Sequence, residues 1–381
     1  MKIVDVRTVC LSRIHEREEQ WITARYRSVK ADCAVVVITT DEGLTGIGEA
    51  SAYGWPLVIR RWVEWLEPTL TGVDPRDRSI VPTPTGRDRG YDAAAAGIDC
   101  ALWDLRGQVE GKPIAAMLNA AAAGSVRVYA SSGCRYDWDD RPQQLVEEVL
   151  GYADAGWSAC KVRMGTEWRW SGVTVDRFLG HMRDLAGAVD GRIELMLDGN
   201  QRLTEDEALP IARELDRLGF TWFEEPIPQD DVEGYARLNR AVDMPITGGE
   251  QFATLDRFRE YLERGAYAIV QPDAGIAGIT QTFRIAEAAH RHGVDFCPHS
   301  WHNGLMCTAN AHLVAASPNP RVLEVCMVQG PLQWAILAEP PTIRDGRLEL
   351  PDSAGMGVRL AEALEERFPY VEGHYAVTVE R

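Results

Sequence analysis

The sequence lacks several features that would settle its class at once. No apolar run approaches the ~18 residues that cross a membrane. The longest, 33–38 and 93–98, have the length of a strand or a short helical stretch. The opening MKIVDVRTVCLSRIHEREEQ is interrupted by Asp5, Arg7 and Arg13 and has no apolar centre of the kind a secretory signal carries. Positive charge is scarce, with 40 Lys and Arg against 57 Asp and Glu and a formal net charge of −17. That balance argues against nucleic acid or an anionic membrane surface as partner, because both require clustered cations. The 8 cysteines are scattered without a Cys-x-x-Cys pair, which speaks against a disulfide framework or structural zinc and leaves them as small core residues. A Gly-x-Gly-x-x-Gly or Walker motif is also missing, and with it the signature of a nucleotide-binding open sheet. The expectation is a soluble, cytoplasmic protein. Its 45% hydrophobic residues are enough for a large core.

What is present falls into two regimes. Residues 1–124 begin with strand-like segments at 2–10, 32–40 and 45–49, the last two joined by Asp41-Glu42-Gly43. Helical stretches follow at 57–66 and 91–109, the second stopped by Gly111-Lys112-Pro113. Sheet first and helices afterwards reads as an α+β unit. From about residue 125 to 345, short apolar segments alternate with amphipathic helices. They start near 126, 159, 193, 222, 246, 268, 295 and 322. Eight such units are what a (β/α)8 TIM-type barrel requires, and a doubly wound open sheet is the alternative. The tail, 346–381, is too short for a core of its own and is expected to pack back on the first unit.

Active sites in such barrels lie at the C-terminal ends of the strands. There the sequence places Lys161 and Arg163, Asp198 and Asn200, Glu224 and Glu225, Glu250, Asp273, His299 and Glu324, one group every 23–35 residues. Ionisable groups ending consecutive apolar strands are costly unless they are used. Asp198, Glu224 and Glu250 come from adjacent strands. Three carboxylates held together call for a hard cation, Mg2+ or Mn2+, with positions left for water and substrate oxygens. Lys161 and Arg163, two apart on a strand, share a face. They read as anion binders, with Lys161 also a candidate acid–base group, or as counter-ions to the carboxylates. His299 beside Asp273 has the make-up of an oriented general acid–base. His302, three residues on, and Trp301 are candidate substrate contacts, as is Asn200.

The ordered set Lys161-Val162-Arg163, Asp198-Gly199-Asn200, Glu224-Glu225-Pro226, Gly249-Glu250-Gln251, Gln271-Pro272-Asp273, Pro298-His299-Ser300 and Leu323-Glu324 resembles the enolase superfamily, within it the mandelate racemase-like subgroup. Residues 95–113 resemble its cap-domain helix. The resemblance implies a modified barrel under a cap built from residues 1–124 and the tail. It implies Mg2+ on Asp198, Glu224 and Glu250, a His299–Asp273 dyad, and Glu324 as a hydrogen-bonding partner of a substrate carboxylate. The shared chemistry is removal of the proton α to a carboxylate, and the resemblance also suggests a homo-oligomer, with an octamer as one form.

One departure matters. The family commonly has Lys-x-Lys on the second barrel strand, and here the second position is Arg163. An arginine is a poor base, so two-base racemisation or epimerisation is disfavoured. His299 alone can take the α-proton and return it to a leaving β-hydroxyl, so the expected reaction is dehydration of an acid sugar, an aldonate or aldarate, to a 2-keto-3-deoxy acid. Racemisation, epimerisation or cycloisomerisation on the same site remains the alternative, and a catalytically silent acid-binding protein is the second. Cap loops near 15–27 and 51–55 are expected to close over the substrate, with Arg17, Trp21 and Tyr53 as contacts. Trp168 and Trp170 are candidates for a pocket wall or for local packing.

Overall fold

The computed structural model describes all 381 residues. The cap is an antiparallel sheet in which Lys30–Thr40 lies between Ile3–Ile14 and Thr45–Ala50. Side chains alternate across a strand. Ala34, Val36 and Ile38 therefore join a cluster under the helix Arg89–Glu110, while Cys33, Val35 and Val37 join the main core. Burial on both faces is why this segment reads as an unbroken apolar run. The helix sits close because its contact face is small: a Cβ on Gly48 would stand 2.2 Å from the Gly97 carbonyl oxygen.

Eight parallel strands follow: Ser125–Ser131, Ala159–Arg163, Glu194–Asp198, Phe223–Glu224, Ile246–Gly248, Ile269–Val270, Asp295–Phe296 and Leu323–Cys326. Each of the first six pairs in parallel with the next, and Leu323–Cys326 pairs with Ser125–Ser131. Across the remaining seam, the Phe296 N–H donates to Asn319 and Phe296 accepts from the Arg321 N–H. Helices such as Val175–Val189 and Glu205–Arg217 cover the outside. The second is started by a reciprocal capping box between Thr204 and Glu207. No helix is long and apolar enough to cross a membrane, and all eight cysteines are free and buried.

The tail, expected to pack back on the first unit, meets the barrel first. Its first strand, Arg347–Glu349, hairpins with Ile343–Arg344 and pairs with the N-terminal half of the barrel strand Ser125–Ser131. That half is free because the neighbouring parallel strands pair from Val128 onward. Only later does the tail reach the cap. Gly355 abuts the cap helix at Asp104, whose carboxylate accepts from the Ile47 and Met356 N–H groups at 2.9 and 2.7 Å. Ala376–Thr378 adds a strand to the small hairpin Trp21–Thr23/Tyr26–Ser28.

Gly355 has φ +73°, and a Cβ there would lie 2.1 Å from an Asp104 carboxylate oxygen. Gly355→Ala is therefore expected to lower stability by about 3 kcal/mol, combining left-handed strain with overpacking. Denaturant unfolding checks this, and a change below about 0.5 kcal/mol would contradict the tie between tail and cap.

Candidate active site

The barrel register brings the strand-end groups together. Arg163 pairs with Asp198, and Asp198 with Glu224, across three adjacent strands. Glu250 follows Ile246–Gly248 by two residues, Asp273 caps the helix Ala274–Arg291, and Glu324 lies in the eighth strand. Just past the strand ends the backbone is left-handed at Asn200, Gln201 and Glu225 (φ 45°, 61° and 37°). Such strain in non-glycine residues concentrates where the fold holds functional groups in place. The Glu225 side chain turns away from the cluster and holds the loops, accepting from Gln201 Nε2 at 2.7 Å and the Gly249 N–H.

Lys161 is enclosed by carboxylates. Its Nζ lies 2.5 Å from Glu224 Oε1, 3.0 Å from Glu324 Oε1 and 4.0 Å from Asp198 Oδ2. Burial alone would lower its pKa, but Glu224, Glu324 and Asp198 outweigh this and raise it. Lys161 thus stands among these carboxylates as a cation. Arg163 Nη1 donates to Asn200 Oδ1 at 2.6 Å and lies 3.1 Å from Asp198 Oδ2, with its guanidinium 4.2 Å above the Trp301 ring. Asn200 in turn donates to Asp198 from its backbone N–H and from Nδ2.

On the other side, His299 Nδ1 lies 2.7 Å from Asp273 Oδ2, while its Nε2 stands 3.4 Å from Glu250 Oε2 and 4.0 Å from Glu324 Oε2. Burial lowers the His299 pKa, but Glu250, Glu324 and Asp273 prevail and carry it to about 10. Asp273 is held well below the carboxylate range. Burial opposes this, and the facing His302 and His299 overcome it. Its Oδ1 also accepts the Gly275 N–H at 2.7 Å.

Of the other expected contacts, Trp21 meets Trp301 edge-on at 5.8 Å and Tyr53 packs on His302 at 4.8 Å. His302 Nε2 is bonded to Asp273 Oδ2 at 2.9 Å. Arg17 is exposed on a turn of the cap loop and makes no hydrogen bond or ion pair in the site. Trp168 packs on Phe178 and Trp170 lies under Arg381, which is the local-packing reading.

Sequence reasoning missed the supports around the carboxylates. Gln271 Nε2 donates to Glu224 Oε2 at 2.6 Å, Trp222 Nε1 to the same oxygen at 3.2 Å, and Gln251 Nε2 to Glu250 at 2.8 Å. Gln271, two before Asp273 on the same strand face, carried a signal that alternation could have found. Glu49 of the cap, buried and holding the Asn303 and Met306 N–H groups, carried none.

Two family models match in order. Residues 8–119 match the N-terminal domain of mandelate racemase/muconate lactonizing enzyme, and residues 144–364 match the enolase C-terminal domain-like family. The chain belongs to the mandelate racemase/muconate lactonizing enzyme family. Among its relatives is D-galactarolactone cycloisomerase of Agrobacterium fabrum, 31% identical over 386 residues, covering 96% of this chain and 98% of the relative. Arabinonate dehydratase of Saccharolobus solfataricus is 28% identical, covering 96% and 99%. The solved structure of an enolase-superfamily member from Polaromonas sp. JS666 superposes with a TM-score of 0.85 at 28% identity, covering 98% and 99%.

Enzymes of this superfamily bind Mg2+, and the site's charge suits such an ion. Asp198, Glu224 and Glu324 are almost fully buried and Glu250 nearly so, against only Lys161 and Arg163 as permanent cations. Burial pushes Glu224 up to about 7, with Asp198, Glu324 and Glu250 adding and Lys161 opposing. Asp198 is likewise raised, chiefly by burial. An all-oxygen donor set carrying unrelieved negative charge fits a hard dication. The ligand-type atoms that lie within 4.8 Å of one another belong to Asp273, His299 and His302, not to the three carboxylates Asp198, Glu224 and Glu250. There both ring nitrogens already face one carboxylate oxygen at hydrogen-bonding distance, which fits a proton-handling cluster.

Proposed function

We propose that this family member removes the proton α to the carboxylate of an acid sugar and expels the β-hydroxyl, giving a 2-keto-3-deoxy acid. The observation that carries the reading is the asymmetry of the site. On one side His299 presents Nε2 with its other nitrogen fixed by Asp273. On the other, Lys161 and Arg163 are committed to carboxylates, Asn200 and Trp301. Only one side then carries a proton acceptor, which suits elimination and not two-base racemisation.

Asp198, Glu224 and Glu250 would hold Mg2+, with Mn2+ as a substitute. When bound, the dication supplies positive charge to the enediolate oxygens. Lys161 and Arg163 hold Glu224 and Asp198 in place and add positive charge around a carboxylate substrate. Preorganised cations of this kind favour the charge that develops on the substrate oxygens. We read Glu324, whose Oε2 accepts the Ser300 N–H at 2.6 Å beside Lys161, as the group that faces the substrate carboxylate. Asp273 keeps His299 in the tautomer with a free Nε2, the atom that takes the proton. We read Trp21 and Tyr53 of the cap, packed on Trp301 and His302 of the loop after the seventh strand, as the cover of the pocket.

The arabinonate dehydratase relative supports this reading. The D-galactarolactone cycloisomerase relative favours a second one, isomerisation begun by the same α-proton step. A panel of aldonates, aldarates and their lactones, incubated with Mg2+ in deuterium oxide, separates them. Keto acid from an open-chain acid is the expected result. Deuterium uptake without keto acid would favour isomerisation, and neither outcome with any acid would leave a binding protein.

A further inference from the structure

Lys161 is locked among three carboxylates, and Arg163 is stacked and bonded. The Cys134 thiol is buried and pushed up to about 12, and burial likewise raises the Tyr53 and Tyr129 phenols. His302 remains. It is buried, and its Nε2 lies 2.9 Å from Asp273 Oδ2, the oxygen that also faces His299 Nδ1 at 2.7 Å. The two imidazoles stand at 87° with centroids 5.8 Å apart. Tyr53 packs on the His302 ring at 4.8 Å and is itself backed by Tyr375 of the tail at 6.3 Å, so the cap and the C-terminus both hold this ring. With Nε2 spent on Asp273, Nδ1 makes no hydrogen bond within the protein.

We propose that His302 is a second proton carrier, the acid that protonates the departing β-hydroxyl while His299 holds the α-proton. The inference rests on the dehydration reading. In the step, His299 Nε2 takes the α-hydrogen as a proton and the C–H electron pair passes into the enediolate. That pair then forms the carbon–carbon double bond as the β-carbon–oxygen bond breaks. The leaving oxygen keeps the bonding electrons, takes the proton from His302 Nδ1 and departs as water. His299 ends protonated and His302 neutral, and one proton passing between them through solvent restores the pair. The enol left behind tautomerises to the keto acid. Asp273 meets both rings through one oxygen, and the proposal has acid and base act on the same side of the substrate, a syn elimination.

His302→Gln tests this, since glutamine can still donate to Asp273 but cannot deliver a proton. Keto-acid formation from the acid identified in the panel should fall on the order of 10²-fold, while deuterium exchange at the α-carbon persists. With the β-fluoro analogue of that acid, fluoride release by the variant should stay near wild type, because fluoride leaves without an acid. Exchange, dehydration and fluoride release falling together would overturn the proposal and leave His302 as a support for Asp273. So would unchanged dehydration. His302→Asn, read the same way with a thermal melt beside it, covers the case in which the glutamine variant does not fold. Wild-type enzyme that exchanges the α-hydrogen but yields no keto acid from any acid would overturn the dehydration reading itself, a result distinct from any of these.

Discussion

His299→Asn should lose α-proton exchange and lower turnover by on the order of 10³-fold. The substitution keeps a donor toward Asp273 and a side chain short enough to fit, so the fold should be retained. What it removes is the free Nε2, the one proton-accepting atom that faces Glu250 and Glu324 across the site. Neither cation on the opposite side can substitute. Lys161 would have to leave Glu224 and Glu324, exposing buried carboxylates without a partner, and such a loss costs several kcal/mol. Arg163 has its guanidinium on Trp301 and too high a pKa to accept a proton. Deuterium uptake at the α-carbon, followed by NMR alongside keto-acid formation, checks the result. A variant retaining more than about a tenth of wild-type exchange would remove His299 from the base role.

The barrel and its charged rim were readable because burying an ionisable side chain is expensive. When Lys161, Asp198, Glu224, Glu250, Asp273, His299 and Glu324 all follow short apolar segments, a common purpose is the economical explanation. The pattern was legible without knowing a single contact. The lid was not. Trp21–Thr23, Tyr26–Ser28 and Ala376–Thr378 are three-residue strands of mixed polarity, too short to show a period, and their pairing joins residues some 350 apart in the chain. The aromatic ring at 301 was readable as a candidate contact, but its place under Arg163 depends on how the second and seventh strand ends face each other across the barrel. His302 is legible as a candidate substrate contact. Its bond to Asp273 needed the turn after the seventh strand, which no local pattern encodes. In each case the missing piece is a long-range packing relation between individually ordinary segments.

The metal and the base should be coupled, and Glu224→Gln exposes the coupling. In the metal-free protein His299 is raised to about 10, the carboxylates of Glu250 and Glu324 outweighing burial. An imidazole that stays protonated to that pH cannot accept an α-proton near neutrality. A dication held by Asp198, Glu224 and Glu250, as proposed, would place positive charge beside Glu250, weaken its pull on the imidazolium, and move the His299 titration down toward the ordinary histidine range. The direction is fixed by sign: added positive charge disfavours the protonated ring. NMR titration of His299 should therefore show a value near 10 without divalent ions and a clear fall when Mg2+ is added. In Glu224→Gln one ligand is neutralised while its size is kept, and Mn2+ affinity measured by electron paramagnetic resonance should drop more than about 10²-fold, beyond the loss typical of an outer partner. At Mg2+ levels that saturate the wild type, the His299 titration in this variant should stay at its metal-free position, and turnover should fall with it. Unchanged Mn2+ affinity would remove Glu224 from the metal site. A His299 titration that ignores Mg2+ in the wild type would separate the ion from the base.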